Sequence, residues 1–235
     1  LRSEIRYYDK MIRLLPTLSS AFMRKAFCHF NLKEYQLADQ NAKKAISLMP
    51  DEKAYHVNLA AMNIETGKEK EALELVEPLF DDPDLGGIAK SIAGLYYGLQ
   101  GEFNTCVSLL EEALEAEPKD ANILNNLGFY RIRLGETEKA LPVLESAIEL
   151  DPTFAFAFNN RGEAYLKLGQ LENAILDINY SLYLNDTNAY AYRNRALYFI
   201  EIQDKDQAKK NLEKALSLGF TQQYGSEVEM LLKTL

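Results

Sequence analysis

Apolar residues along this chain recur at three- and four-residue steps, break, and resume, which is the pattern of a series of short amphipathic helices. Residues 155–186 show it clearly. The spacing predicts one helix over about 156–168, a stop at Gly169, a second helix over about 171–184, and a turn at Asn185-Asp186. The pattern then repeats. Leu150-Asp-Pro-Thr-Phe-Ala-Phe-Ala-Phe158 matches Leu184-Asn-Asp-Thr-Asn-Ala-Tyr-Ala-Tyr192 at an offset of 34. At the same offset Ala26, Ala60, Gly94, Gly128, Gly162 and Ala196 form one column of small residues. Ala38, Ala72, Cys106, Ala140, Ala174 and Ala208 form a second. A third runs Ala45, Leu79, Ala113, Ala147, Ser181 and Ala215, and prolines 16, 50, 118 and 152 fall on the same grid. Two antiparallel helices of this length cannot bury their faces alone. Small residues at Gly162 and Ala174 let a pair close up, and the next pair then stacks on it.

The grid resembles the tetratricopeptide repeat, a helix–turn–helix unit of 34 residues with small residues at fixed places and a closing proline. The resemblance implies an all-α fold, a right-handed α-solenoid superhelix of antiparallel helix pairs, in one domain over 1–235. Six units follow: 19–52, 53–86, 87–120, 121–154, 155–188 and 189–222. Residues 1–18 read as the second helix of a preceding unit and 223–235 as a capping helix. In that cap Glu227, Glu229 and Lys233 would face out, while Val228, Leu231, Leu232 and Leu235 cover the last pair. The stretch 219–225 is similar to the ends of bacterial members of the family. The chain begins Leu1-Arg2-Ser3 without methionine, so it reads as a piece of a longer protein.

Composition narrows the function classes. Of 235 residues 47% are hydrophobic and 26% charged, which is globular rather than disordered. The net charge of −9 argues against a nucleic-acid partner, which needs a basic footprint. Residues 53–120 carry 14 acidic against 5 basic side chains, a solvated acidic surface in its simplest reading. No apolar run spans a membrane. Two cysteines, Cys28 and Cys106, make no disulfide framework, which leaves the redox compartment open with a lean toward a reducing, cytoplasmic one.

Candidate chemistry is sparse. His29 and His56 fall in columns held elsewhere by rings and leucines, so they read as packing residues. No nucleophile elbow, P-loop or dinucleotide fingerprint occurs, and no acid is paired with a base in a marked pocket. The expectation is a non-catalytic chain without cofactor or metal. Asp81-Asp82-Pro83-Asp84-Leu85-Gly86-Gly87 lacks the ligand spacing of a calcium loop and reads as a joint, with a kink expected at Pro78. Pro142 lies nearer the start of its helix, where proline is better tolerated. Arg161 and Arg195 fall in a column that is apolar at Leu59 and Leu127, so each needs a partner, and Asp177 is the natural one.

In the tetratricopeptide family the first helix of each unit lines a concave groove. The resemblance therefore implies a protein or peptide partner held there. One groove column reads Arg24, Asn58, Ile92, Asn126, Asn160 and Asn194. An asparagine amide both donates to and accepts from an extended backbone, and it can equally bridge neighbouring helices. The candidate groove set is Asn58, Asn122, Asn125, Asn126, Phe129, Arg133, Phe156, Asn159, Asn160, Lys167, Tyr190, Arg193 and Asn194. Its mixture of aromatics with Arg and Lys suits a peptide with acidic side chains. The first half offers apolar Met23, Phe27, Phe30, Val57, Ile64, Ile88 and Leu95 instead, and self-association through that half is the alternative. A regulatory appendage of an enzyme domain outside this piece is a third reading. The carboxylate clamp by which some family members grip chaperone C-termini is not matched. Its slots in units four to six hold Asn125, Phe129, Asn160, Tyr190 and Asn194, of which Asn160 alone fits.

Overall fold

The computed structural model describes residues 1–221 and 225–235, and among these it contains fourteen α-helices and no strand. Its contacts gather into two compact units, Leu1–Pro118 and Lys119–Leu235. The first holds α1 (Arg2–Leu14), α2 (Ser19–Asn31), α3 (Tyr35–Leu48), α4 (Lys53–Glu65), α5 (Glu69–Val76), a 3-10 turn (Glu77–Leu79), α6 (Gly86–Leu99) and α7 (Phe103–Ala116). The second holds α8 (Ala121–Leu134), α9 (Thr137–Leu150), α10 (Ala155–Lys167), α11 (Leu171–Leu184), α12 (Ala189–Glu201), α13 (Lys205–Ser217) and a final helix, here α14, at Glu227–Thr234. In each unit successive helices pair and the pairs stack, which makes the fold an α-solenoid.

The small-residue columns are the seams of the pairs. Ala26, Ala60, Ala72, Cys106, Ala140, Ala174, Ala196 and Ala208 are wholly buried. A methyl group added at Gly128 would sit 2.5 Å from Leu144 Cγ, and one at Gly162 would sit 2.7 Å from Ile178 Cγ1. Glycine is required there by the closeness of the two helices. A different demand sets the turn within each pair. Gly67, Gly101, Gly135 and Gly169 all adopt positive φ, from 71° to 87°. The same slot holds Lys33 at 59° and Gln203 at 62°, so the turn keeps its left-handed residue even where glycine is missing.

Pro78 does more than kink its helix. The helix α5 ends at Val76, and the proline opens the 3-10 turn that follows. Asp82 then organises the joint: its Oδ1 accepts from the amides of Asp84 and Leu85 at 3.1 and 3.0 Å, and its Oδ2 accepts from Lys53 Nζ at 2.7 Å. Pro142 is carried inside α9, near its start. At the other end Val228 of α14 is wholly buried, with Leu231, Leu232 and Leu235 packed on the cluster formed by α12 and α13. The expected end of the sixth repeat at 222 and start of the cap at 223, with 222–224 of the terminal stretch, lie outside the described residues. Among the described residues no helix is long and apolar enough to cross a membrane.

Candidate functional site

The second unit brings α8, α10 and α12 side by side along one face. Each starts from a fixed slot on the 34-residue grid. Asp120 caps α8, accepting from the amides of Asn122 and Ile123, and Asn188 caps α12, accepting from Tyr190 and Ala191. The same slot before α10 holds Phe154, which caps nothing and lies 6.3 Å, ring to ring, from Phe156. An aromatic in a capping column is a legible signal, and sequence reasoning passed over it.

These helices enclose a cleft of about 350 Å³. Eight of the expected groove residues line it: Asn122, Asn125, Asn126, Phe129, Phe156, Asn159, Asn160 and Tyr190, with Phe154 as the ninth wall. Asn122 and Phe156 are exposed and Asn126 is half-buried. The deeper amides bridge the helices. Asn160 Nδ2 donates to Asn125 Oδ1 at 2.8 Å, and one repeat on Asn194 Nδ2 donates to Asn159 Oδ1 at 3.0 Å. Asn194 is completely buried and lies outside the cleft lining. Of the two roles open to the column from sequence, Asn160 and Asn194 perform the bridging one.

The two arginines are held internally, which corrects the expectation that they suit a peptide with acidic side chains. Arg133 pairs with the buried Glu163 and donates to Tyr190 Oη at 2.6 Å, its guanidinium 4.8 Å from the Phe129 ring centre. Arg193 lies 3.5 Å from Glu163, donates to Asn194 Oδ1 at 2.7 Å and to Glu227 Oε2 at 3.1 Å. Glu227 of α14 thus turns inward to Arg193 rather than outward as expected. Tyr190 is pushed above the usual phenol pKa by burial, with the Glu163 carboxylate adding to the shift. Lys167 is exposed and away from the cleft. The cleft is therefore walled by amides and rings, with no charged side chain in its lining.

In the first unit Asn58 lines a separate cleft of about 370 Å³ with Arg24, Phe27 and Tyr55. The apolar patch expected there is smaller than the sequence implied, because Met23 and Val57 are buried in the core. His29 is buried as a packing residue and its Nδ1 lies 2.7 Å from Glu34 Oε2. Asp177 meets Arg161 through two bonds of 2.7 and 2.9 Å, as its position implied, whereas Arg195 turns to Asn211 at 2.7 Å and Asn179 at 3.2 Å.

A stack of two-helix repeats with a walled cleft on one face defines a repeat scaffold. Models described as TPR repeat and tetratricopeptide repeat match residues 131–169, 109–141, 157–188 and 189–218, so the chain carries tetratricopeptide repeats over 109–218. The small glutamine-rich tetratricopeptide repeat-containing protein 2 of Saccharomyces cerevisiae is 34% identical over 77 residues, which is 33% of this chain and 22% of the yeast protein. Among solved structures, a chain of the APC/C Cut9–Hcn1 hetero-tetramer aligns with TM-score 0.86 at 16% identity, over 99% of this chain and 45% of that one. YrrB aligns with TM-score 0.55 at 21% identity, over 83% of this chain and 98% of that one. At these identities the likeness is one of fold.

Proposed function

We propose that this protein is a non-catalytic scaffold that holds an extended, largely uncharged polypeptide segment in the cleft between α8, α10 and α12. The observation that carries this reading is the cleft wall, with five asparagine amides, three phenylalanines and a tyrosine around about 350 Å³. Asn122 and Asn126 offer donors and acceptors for a peptide backbone. Phe129, Phe154 and Phe156 offer an apolar seat for a side chain. Arg133 and Arg193 are already neutralised, so an aliphatic or aromatic side chain suits the seat better than a carboxylate. YrrB, which shares the fold, is described as a TPR protein with an unusual peptide-binding site.

A random peptide library displayed on phage tests the reading. Panning on the full chain is expected to enrich segments with a central apolar residue, and the enriched peptides to lose binding to Asn126→Ala/Phe156→Ala. No enrichment, or peptides that bind the double variant as well as the parent, would refute it.

A further inference from the structure

One second helix presents to solvent what its sisters do not. Leu176, Tyr180 and Tyr183 of α11 fall at i, i+4 and i+7, on one stripe of the helix. They are 69%, 41% and 82% exposed. One unit earlier the same slots hold Pro142, Ser146 and Glu149, and one unit later Lys210, Lys214 and Ser217. The other three units have neither a leucine nor an aromatic ring there. The repeat is thus built five times without this stripe, so packing does not require it. Its rings are nevertheless held in place. Tyr180 meets Phe158 edge-on at 4.6 Å between centres and stacks on Tyr183 at 6.0 Å. An exposed apolar patch with ordered tyrosines marks a contact surface.

The helices on either side carry opposite charge. Arg161 of α10 is bonded to Asp177 of α11 and lies in the field of the Glu145 carboxylate of α9, which puts α9 beside α11. Arg195 of α12 donates to Asn179 of α11 and Asn211 of α13, which puts α13 on the other side. The order across the face is therefore exposed Glu145 and Glu149 on α9, the apolar stripe on α11, and exposed Lys210 and Lys214 on α13. Lys214 leans inward, 5.8 Å from the Tyr192 ring centre. Glu213 shares the column of Asn179, which turns toward the following helix, so it points away from α11.

We propose that this face joins two copies of the chain, with α11 packed on α11 of the second copy about a two-fold axis running along the helix. Such an axis brings α9 of each copy opposite α13 of the other, carboxylates against lysines. An axis across the helices would set carboxylates on carboxylates and lysines on lysines, and like charges facing each other exclude that arrangement. The levels along the axis agree as well. Glu145 and Glu149 hold the slots that Glu213 and Ser217 hold two units on, within a turn of Lys214. The acidic–apolar–basic order is self-complementary, and this selects a second copy over an unrelated partner. A stripe of three side chains is small beside the roughly 1,200–2,000 Å² that stable complexes bury, so the dimer is weak, with Kd on the order of 10–100 µM. None of these residues lines the cleft between α8, α10 and α12, so the proposal does not depend on the reading of that cleft.

The test is analytical ultracentrifugation of the full chain over a concentration series spanning that Kd. Expected is a monomer–dimer equilibrium, weakened at least about tenfold by Leu176→Ser/Tyr183→Ser with helicity and Tm retained. The axis is tested by charge reversal. Glu149→Lys and Lys214→Glu should each weaken self-association, since each sets like charges together twice per dimer, whereas a one-to-one mixture of the two should dimerise as well as the parent. A chain that stays monomeric throughout overturns the proposal, as does a dimer that Leu176→Ser/Tyr183→Ser leaves intact. A dimer that the apolar variant weakens but the mixed charge variants fail to restore overturns the two-fold arrangement.

Discussion

Asn194 Nδ2 donates to Asn159 Oδ1 at 3.0 Å, and the donor residue is completely shielded from solvent. Its counterpart a repeat earlier joins Asn160 to Asn125 at 2.8 Å. These amides fix the spacing of α10 against α12 and of α8 against α10, and so the width of the cleft. Asn194→Ala leaves the Asn159 carbonyl oxygen buried without its donor, and should lower stability by about 1–3 kcal/mol in urea unfolding. Asn126→Ala, at a half-buried position on the cleft wall, should change stability by less than about 0.5 kcal/mol.

The seam between α10 and α11 should resist enlargement. At Gly162 an added Cβ would lie 2.7 Å from Ile178 Cγ1 and 3.2 Å from the Ala174 carbonyl oxygen. Alanine gains about 1 kcal/mol of helix propensity over glycine, while overpacking costs about 1–3 kcal/mol. Gly162→Ala should therefore be net destabilising by roughly 1 kcal/mol. Gly94→Ala, whose Cβ would first meet Leu110 Cγ at 3.2 Å, should lose less. Chemical denaturation of the pair checks the order.

The turn column offers a stabilising change. Gln203 is exposed and holds φ at 62°, where four of the other five units have glycine. A left-handed backbone costs a side-chain-bearing residue about 1–2 kcal/mol, of which glycine's greater unfolded-state freedom returns part. Gln203→Gly should raise stability by about 0.5 kcal/mol, read as a small increase in Tm.

Asp39 ties pH to the packing of α3 against the turn after α4. Burial opposes its ionisation, but hydrogen bonds from Lys68 and Lys43 outweigh that and hold its pKa below the usual aspartate value. A carboxyl whose folded pKa is depressed stabilises the fold above its unfolded pKa, about 3.9, and loses that contribution as pH falls through the folded value. Asp39→Asn should therefore be less stable than the parent at neutral pH, with the gap closing on acidification below about pH 4. Urea midpoints across that range check it. A gap that widens toward acid would contradict the sign.

Much of this was legible in the residues. The helices α10 and α11 fall within a residue of the boundaries that the spacing implied, because helix ends here are set by local signals such as Gly169. The Arg161–Asp177 pair was legible too, since both residues sit at fixed grid positions on adjacent helices. Arg195 meets Asn211 instead, which holds the Asp177 slot one repeat on, and Asn179 of α11. The neutralisation of Arg193 was hidden, since it depends on Glu227 of α14, whose angle of approach follows from how Val228 is buried. The early end of α5 was only half visible: proline predicted a disturbance, but whether a helix bends or stops depends on what packs beyond it.

The sequence by itself determined the repeat. A 34-residue recurrence of small, apolar and turn residues is local chemistry, and local chemistry suffices to set helix lengths, turns and the pairing of neighbours. Tertiary structure decided which polar groups remain available. It closed Asn194 against Asn159 and gave Arg133 to Glu163 and Arg193 to Glu227. Availability is a property of distances between side chains one repeat apart, and those distances exist only once the helices have packed.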